Sequence, residues 1–413
     1  MNSAGTLPHQ TVLIVGDRIH RIAASNEIIR DTAGMTRIDG TGRFLIPGLA
    51  DLHVHIWQPE DLLLYIANGV TTVRNMNGRP MHLEWREQIR RGELLGPDLY
   101  TSGPTIYSDP ADADTLVSEQ QKQGYDFIKV YHFVSLNGYR AVIAASKARS
   151  MRVVGHKPAS PMTSADAVAM GMESLEHLLG YATQLERLPS PLRDALLRGE
   201  YSFRYTYAGI ELDETKLRPA AEAMAASGGW ICPTLVVLDR WAPSEELAPL
   251  MKRPHMRFVS PRFFQRAAEW NEADYLTGST PAYRAQGRRV RREIVRQLHR
   301  AGARLMLGTD GGGYHTEPGF SIHDELAALV ESGLTPYEAL RTATVQAAMY
   351  LRHPDWSGVI QEGARADLVL LRGNPLADIG HTRTPDGVIT RGCWLDAESL
   401  RRRMEAGTVG PAC

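Results

Sequence analysis

The chain has 413 residues, 43% hydrophobic and 23% charged, with 46 Lys and Arg against 47 Asp and Glu, so its formal net charge is −1. That balance excludes a strongly basic nucleic-acid binder and an acidic disordered tail. The length allows two or three domains, or one large barrel with a smaller companion. The cysteines, Cys232, Cys393 and Cys413, are odd in number and far apart, which indicates neither a disulfide framework nor a cysteine-based zinc site and points to a reducing compartment.

The first ten residues lack the basic stretch and apolar core of a secretory leader, and no run approaches 18 apolar residues. The expectation is a cytoplasmic protein. Residues 11–21 (TVLIVGDRIHR) read as strand around a Gly-Asp turn. Eight short apolar, β-branched runs follow, at 50–55, 70–76, 98–103, 126–131, 152–157, 173–178, 230–238 and 303–310. Helix-period stretches accompany them, as at 141–149 and 324–331. Alternating strand and helix predicts a parallel sheet, because parallel strands need long crossovers and cover on both faces. Eight such units predict an α/β fold of the (β/α)8 TIM barrel type. An open doubly wound sheet is the alternative, but no G-x-G-x-x-G follows the first run.

Two segments break the spacing, 180–229 and 239–302, and read either as lids over the barrel mouth or as extra outer helices. Within the Arg-rich stretch 284–304, Val290, Ile294, Val295 and Leu298 recur at helical spacing. It therefore reads as an outer amphipathic helix with a basic, solvated face, not as a nucleic-acid site. Near the C-terminus, 358–371 and 388–395 are strand-like again. The expected division is a barrel at 48–354 and a small discontinuous β-sandwich from 1–47 and 355–413.

The chemistry lies at the ends of the runs. In Leu52-His53-Val54-His55 the two histidines alternate, so on a strand both imidazoles project to one side and Leu52 and Val54 to the other. Two imidazoles there can hold one metal ion. Lys129, His156 and His177 close the fourth, fifth and sixth runs, and Asp310 closes the eighth, before Gly311, Gly312 and Gly313. Five runs of eight thus bring a nitrogen or oxygen ligand to one rim, which packing does not require. Arg74, Asn75, Tyr131, His132, Lys157, Thr234, Tyr314, His315 and His323 fall near the same rim and are candidates for binding a substrate carboxylate or carbonyl.

This ordered set resembles the amidohydrolase superfamily: H-x-H on strand one, lysine on strand four, histidines on strands five and six, and aspartate on strand eight. Within it the chain is similar to the group of imidazolonepropionase-like proteins and Xaa-Pro-type dipeptidases. Residues 48–55 look like the family's entry into the barrel, 362–369 like its return to the sandwich, and 317–326 (EPGFSIHDEL) like the stretch after the strand-eight aspartate.

The resemblance implies two divalent metal ions, with zinc expected, bridged by a carbon dioxide-derived carbamate on Lys129. His53, His55 and Asp310 would hold the more buried ion, and His156 and His177 the outer one. It implies hydrolysis of a C–N bond in an amide, cyclic amide or dipeptide by a metal-bridging hydroxide, with Asp310 as general acid and base. The alternatives are a lactonase or esterase on the same centre, a one-metal deaminase, and a non-catalytic scaffold. Where dipeptidase-like relatives place an aromatic hydroxyl after the strand-five histidine, this chain has Lys157-Pro158-Ala159-Ser160. The expected partner is a small-molecule substrate, with no nucleic acid and no membrane; a homo-oligomer is compatible.

Overall fold

A computed structural model describes residues 5–27, 34–158, 160, 162–187, 212–241, 244–271, 280–313, 315–353 and 357–411. The chain opens with an antiparallel hairpin of β1 (Gln10–Val15) and β2 (Arg18–Ala24), turned at Gly16, whose φ of 59° suits a residue without a Cβ. After β3 (Phe44–Pro47) the strands become parallel. One parallel sheet runs β4 (Leu49–Val54), β5 (Val70–Asn75), β6 (Asp98–Thr101). The other contains β7 (Phe127–Val130), β8 (Arg152–Gly155), β9 (Met172–Glu176), β10 (Trp230–Cys232) and β11 (Arg304–Leu305), each beside the next.

Single parallel bridges pair Ser102 with Phe127 of β7, and Val54 of β4 with Gly311, six residues past β11. Helices such as Glu60–Ala67, Leu136–Ala148 and Ser321–Glu331 alternate with the strands, giving a TIM-barrel-like α/β arrangement. The strands are buried on both faces. Val54, Val73, Ile128, Val130 and Leu175 pack with the surrounding helices, while Ala50, Leu52, Phe127, Val154, Cys232 and Met306 form a second cluster. Leu52 and Val54 therefore do not share a face, contrary to simple alternation, because the register of β4 against β5 shifts between Asp51 and Val54.

Two runs are shorter than their sequence suggests. At 230–238 the strand stops at Cys232; Pro233 has no N–H to continue a ladder, and Thr234 turns left-handed at φ 47°. Leu235–Asp239 is then helical, its first N–H groups donating to the buried Glu325 carboxylate at 2.9 and 2.7 Å. A short apolar run suits either state, and this cap decides it. At 303–310 only Arg304–Leu305 forms a ladder; beyond it the Met306 N–H donates to Ile231, and Leu307 accepts from Leu52.

Segment 239–302 contains the helices Ser244–Met251, Pro261–Asn271 and Pro281–Arg300. The last buries Val290, Ile294, Val295 and Leu298, as its periodicity predicts. Its basic face is not wholly solvated: Arg291 and Arg292 are buried and paired with Asp239. In segment 180–229, Tyr181–Leu185 and Glu214–Ser227 are helical.

The chain ends meet in an antiparallel sheet ordered β14 (Cys393–Asp396), β13 (Pro385–Thr390), β12 (Leu368–Leu371), β3. Ile19 of the hairpin packs against Ala364, Ala366, Leu368 and Ile389. Cys393 is disulfide-bonded and Cys232 is free and buried, so the cysteine pattern no longer argues for a reducing compartment. Among the described residues, no helix is long and apolar enough to cross a membrane.

Candidate metal centre

Each candidate ligand stands at or just past the C-terminal end of a parallel strand: His53 and His55 at β4, Lys129 in β7, His156 after β8, His177 after β9, and Asp310 beyond β11. Two of them bend the backbone into the left-handed region, His177 at φ 61° and Asp310 at φ 62°. For a residue with a Cβ this costs about 1–3 kcal/mol, and such strain gathers at functional sites. Backbone bonds hold both turns, from His177 N–H to Cys232 at 3.0 Å and from Asp310 N–H to His53 at 2.8 Å.

The imidazoles form a continuous series. Ring centroids lie 5.6 Å apart for His53 and His55, 4.6 Å for His53 and His177, and 4.9 Å for His156 and His177. Asp310 Oδ1 sits 3.0 Å from His55 Nε2 and 3.5 Å from His53 Nε2. Ligand atoms of His53, His177 and Asp310 all lie within 4.8 Å of one another.

Lys129 enters the same space, and glycine makes the room. A Cβ on Gly155 would stand 2.4 Å from the Val130 carbonyl oxygen and 2.7 Å from Lys129 Cδ. A Cβ on Gly308 would stand 2.7 Å from His53 Cβ and 2.4 Å from Cys232 Sγ.

A deeper layer sets the protonation of the rings. Glu176, fully buried, is 2.8 Å from His53 Nδ1 and 2.9 Å from an Arg74 Nη, and accepts a bond from the Ser174 hydroxyl at 2.7 Å. Burial works against its charge, but Arg74 and His53 hold its carboxyl well below the usual range. An ionised carboxylate only accepts, so His53 Nδ1 carries the proton and Nε2 turns a lone pair toward His55 and Asp310. Thr234 Oγ1 is 2.7 Å from His177 Nδ1, and His132 Nδ1 is 2.9 Å from His156 Nδ1.

Burial pushes His53 down to about 4 and His156 and His177 well below the ordinary value, so these rings are neutral at pH 7. Burial also lowers Lys129, to about 8, against the pull of Glu176 and Asp310. Burial opposes ionisation of Asp310, yet its carboxyl lies well below the usual range. Asp310 Oδ1 is nonetheless buried with no aligned hydrogen bond. Lone pairs of neutral imidazoles and a carboxylate directed at one space repel unless a cation occupies it, so the donor set fits a divalent metal. Glu176 and Cys232 also lie near His53. Glu176 is engaged by Arg74 and Ser174, however, and burial pushes the Cys232 thiol up, which leaves both behind the centre.

Residues 44–395 match the Amidohydrolase family. The chain belongs to that family. Its matches to the curated relatives span from 18% to 49% of their length. A stretch of 91 residues is 37% identical to the ochratoxinase of Aspergillus niger, covering 22% of this chain and 18% of that one. The fold is similar to a bottromycin amidohydrolase (TM-score 0.73, 24% identity, covering 98% of this chain and 87% of the other). It is also similar to a Xaa-Pro dipeptidase with bound methionine (TM-score 0.65, 20% identity, covering 93% and 94%).

In this amidohydrolase the remaining candidates are distributed unevenly. Tyr131 and His132 stand beside the centre, the Tyr131 ring 4.3 Å from that of His156. Arg74 lies behind the centre, not on its open side. It is fully buried, and its nitrogens contact the Leu52 carbonyl, Ser174, Tyr350 and Glu176. His323 is buried between Thr382 at 3.0 Å and Asn68 at 3.2 Å. Lys157 is buried with Nζ donating to the Pro158 and Ser160 carbonyls. Asn75 holds the Ile56 N–H, and Thr234 serves His177. The His315 carbonyl accepts from Arg240, and its side chain is buried. Tyr314 lies outside the described residues.

Sequence reasoning missed Glu176 and its contact with Arg74. The available signal was a second glutamate at the end of a predicted strand, directly before a candidate ligand histidine.

Proposed function

We propose that this chain is a binuclear metal-dependent amidohydrolase cleaving the C–N bond of an amide, cyclic amide or dipeptide of a small molecule. The observation that carries the reading is the buried Asp310 carboxylate facing the His53 and His55 imidazoles with one oxygen lacking an aligned donor. His53, His55 and Asp310 would hold one divalent ion, His156 and His177 the second, with Lys129 as a bridging carbamate; zinc is the first choice for His-rich ligation. Once Lys129 Nζ has given up its ammonium proton it would add to carbon dioxide and release a second proton, leaving an anion where a cation had stood. When bound, the metal pair supplies an activated water and withdraws charge from the substrate carbonyl.

The protein's own residues do the rest. Asp310 accepts the water's proton and returns one to the leaving nitrogen, so C–N cleavage releases a neutral amine. Glu176 keeps His53 in one tautomer and orientation throughout. The proposed frame is a barrel of 48–354, closed through the bridges at Ser102 and Val54, with a β-sandwich of 1–47 and 355–413.

The test is elemental analysis of purified protein, followed by turnover of a panel of N-acyl amino acids, dipeptides and lactones. Two ions per chain and faster amide than lactone hydrolysis support the reading. Faster lactone hydrolysis favours an esterase on the same centre, one tightly held ion a deaminase, and absence of bound metal after careful loading overturns it.

A further inference from the structure

Among the described residues most large apolar side chains are buried, but two aromatic rings near the candidate metal centre are more than half exposed. Tyr107 is 51% exposed and Phe133 58% exposed. Both contact Tyr131, at ring-centroid distances of 5.0 and 5.3 Å, and Tyr131 in turn lies 4.3 Å from the His156 ring. A run of aromatic rings therefore leads from a candidate ligand outward to solvent. Exposed aromatic surface beside a site is costly to leave wet and is a common mark of recognition.

The rings are also fixed in place. Tyr107 follows Ile106, whose N–H donates to Lys129 and whose carbonyl accepts from Tyr131, both at 2.9 Å. The Tyr107 loop therefore lies as an extra rung along β7. Asp109, two residues on, accepts from the Ser135 N–H at 2.7 Å and from its hydroxyl at 2.5 Å, which ties this loop to the start of the helix after Phe133. A Cβ on Gly138 would meet Asp109 Oδ1 at 2.3 Å, so the clamp depends on glycine there. Two loops from different strands are thus locked together with their rings presented in advance of binding, which lowers the ordering cost for a planar ligand.

We propose that Tyr107, Tyr131 and Phe133 form a stacking platform for an aryl group carried next to the scissile bond, making aryl-bearing amides the substrate class. This rests on the amide-hydrolase reading above. Flat rings favour an aromatic over a saturated group of the same size, because offset and edge-on stacking adds to simple area burial. Proximity to His156 places that group on the outer side of the centre.

The test compares matched pairs on metal-loaded protein: N-acetyl-L-phenylalanine against N-acetyl-L-cyclohexylalanine, and N-benzoylglycine against N-cyclohexanecarbonylglycine. At least one aryl member should exceed its saturated partner about tenfold in kcat/KM, chiefly through KM. The Tyr107→Ala/Phe133→Ala double variant should reduce that ratio to near one; both rings are exposed, so their truncation leaves the fold intact. Ratios within threefold for both wild-type pairs, or a double variant that keeps the preference, overturn the platform. Calorimetric binding of the same four compounds separates it from the hydrolase reading. Selective aryl binding lost in the double variant, without hydrolysis, sustains the platform and sinks the activity; equal binding of aryl and saturated members sinks the platform.

Discussion

His53 Nδ1 lies 2.8 Å from Glu176 Oε2, and both side chains are sealed from solvent. The bond joins β4 to β9, strands that belong to different sheets, and fixes which nitrogen of His53 faces Asp310. Arg74 closes the set from β5, with its guanidinium 4.9 Å from the Tyr350 ring centroid. Substituting Glu176 by Gln should lower metal affinity about 10–100-fold, since the amide no longer enforces the tautomer and leaves Arg74 short of an anion. Competition with a chromogenic chelator, read alongside turnover, measures it; unchanged affinity would show that Glu176 only packs.

Asp310→Asn keeps the shape of the side chain and removes both its charge and its basicity. Turnover should fall at least about 10²–10⁴-fold while far-UV circular dichroism stays native. A scaffold protein would lose nothing in this variant.

Gly155 carries φ 121° and faces the Lys129 side chain. Gly155→Ala adds a carbon 2.4 Å from the Val130 carbonyl in a backbone region closed to L-residues. The cost should be about 1–3 kcal/mol of stability, read as a lower Tm, together with lost metal, because Lys129 must move. Gly363, with nothing within 4 Å of its Cβ position, is the control: alanine there bears only the strain of φ 83°, and metal content should hold.

Acid stability should depend on the cluster around Arg240. Arg240 pairs with Glu317 and Asp324, Arg253 and Arg383 reach Asp324, and His255 Nε2 stands 3.1 Å from Glu317. Burial raises Glu317, but Arg240 outweighs it and holds the carboxyl at about 2, against 4.5 ordinarily. The folded state thus binds fewer protons than the unfolded one between those values. The resulting stability is complete above about pH 5 and is lost as pH falls through 2, on the order of 3 kcal/mol in all. Denaturant titrations from pH 7 to pH 2 should show wild type losing this increment and Glu317→Gln showing a flatter profile. Parallel profiles would refute the assignment.

The shared placement of the candidate ligands was legible because its signal is local: a residue that ends a strand in sequence ends it in space, and parallel strands all end on one side. His53, His55, Lys129, His156, His177 and Asp310 needed only that rule. Helix-period spacing likewise located the helix Pro281–Arg300. The apolar run at 230–238 was misread because its helical end is set by Glu325, some 90 residues away. His323 looked like a rim residue by motif, yet the helix Ser321–Glu331 turns it toward Asn68 and Thr382.

By itself, the sequence determined which strands would be parallel and which candidate donors would stand beyond their C-terminal ends, since the order of runs and donors is a property of consecutive residues. The tertiary structure decided the rest: the proton on His53, the burial of Arg74, the space for Lys129 and the exposure of Tyr107 and Phe133 next to Tyr131. These depend on distances between residues tens to hundreds of positions apart, which the order of strands in the sheets determines and no local pattern encodes.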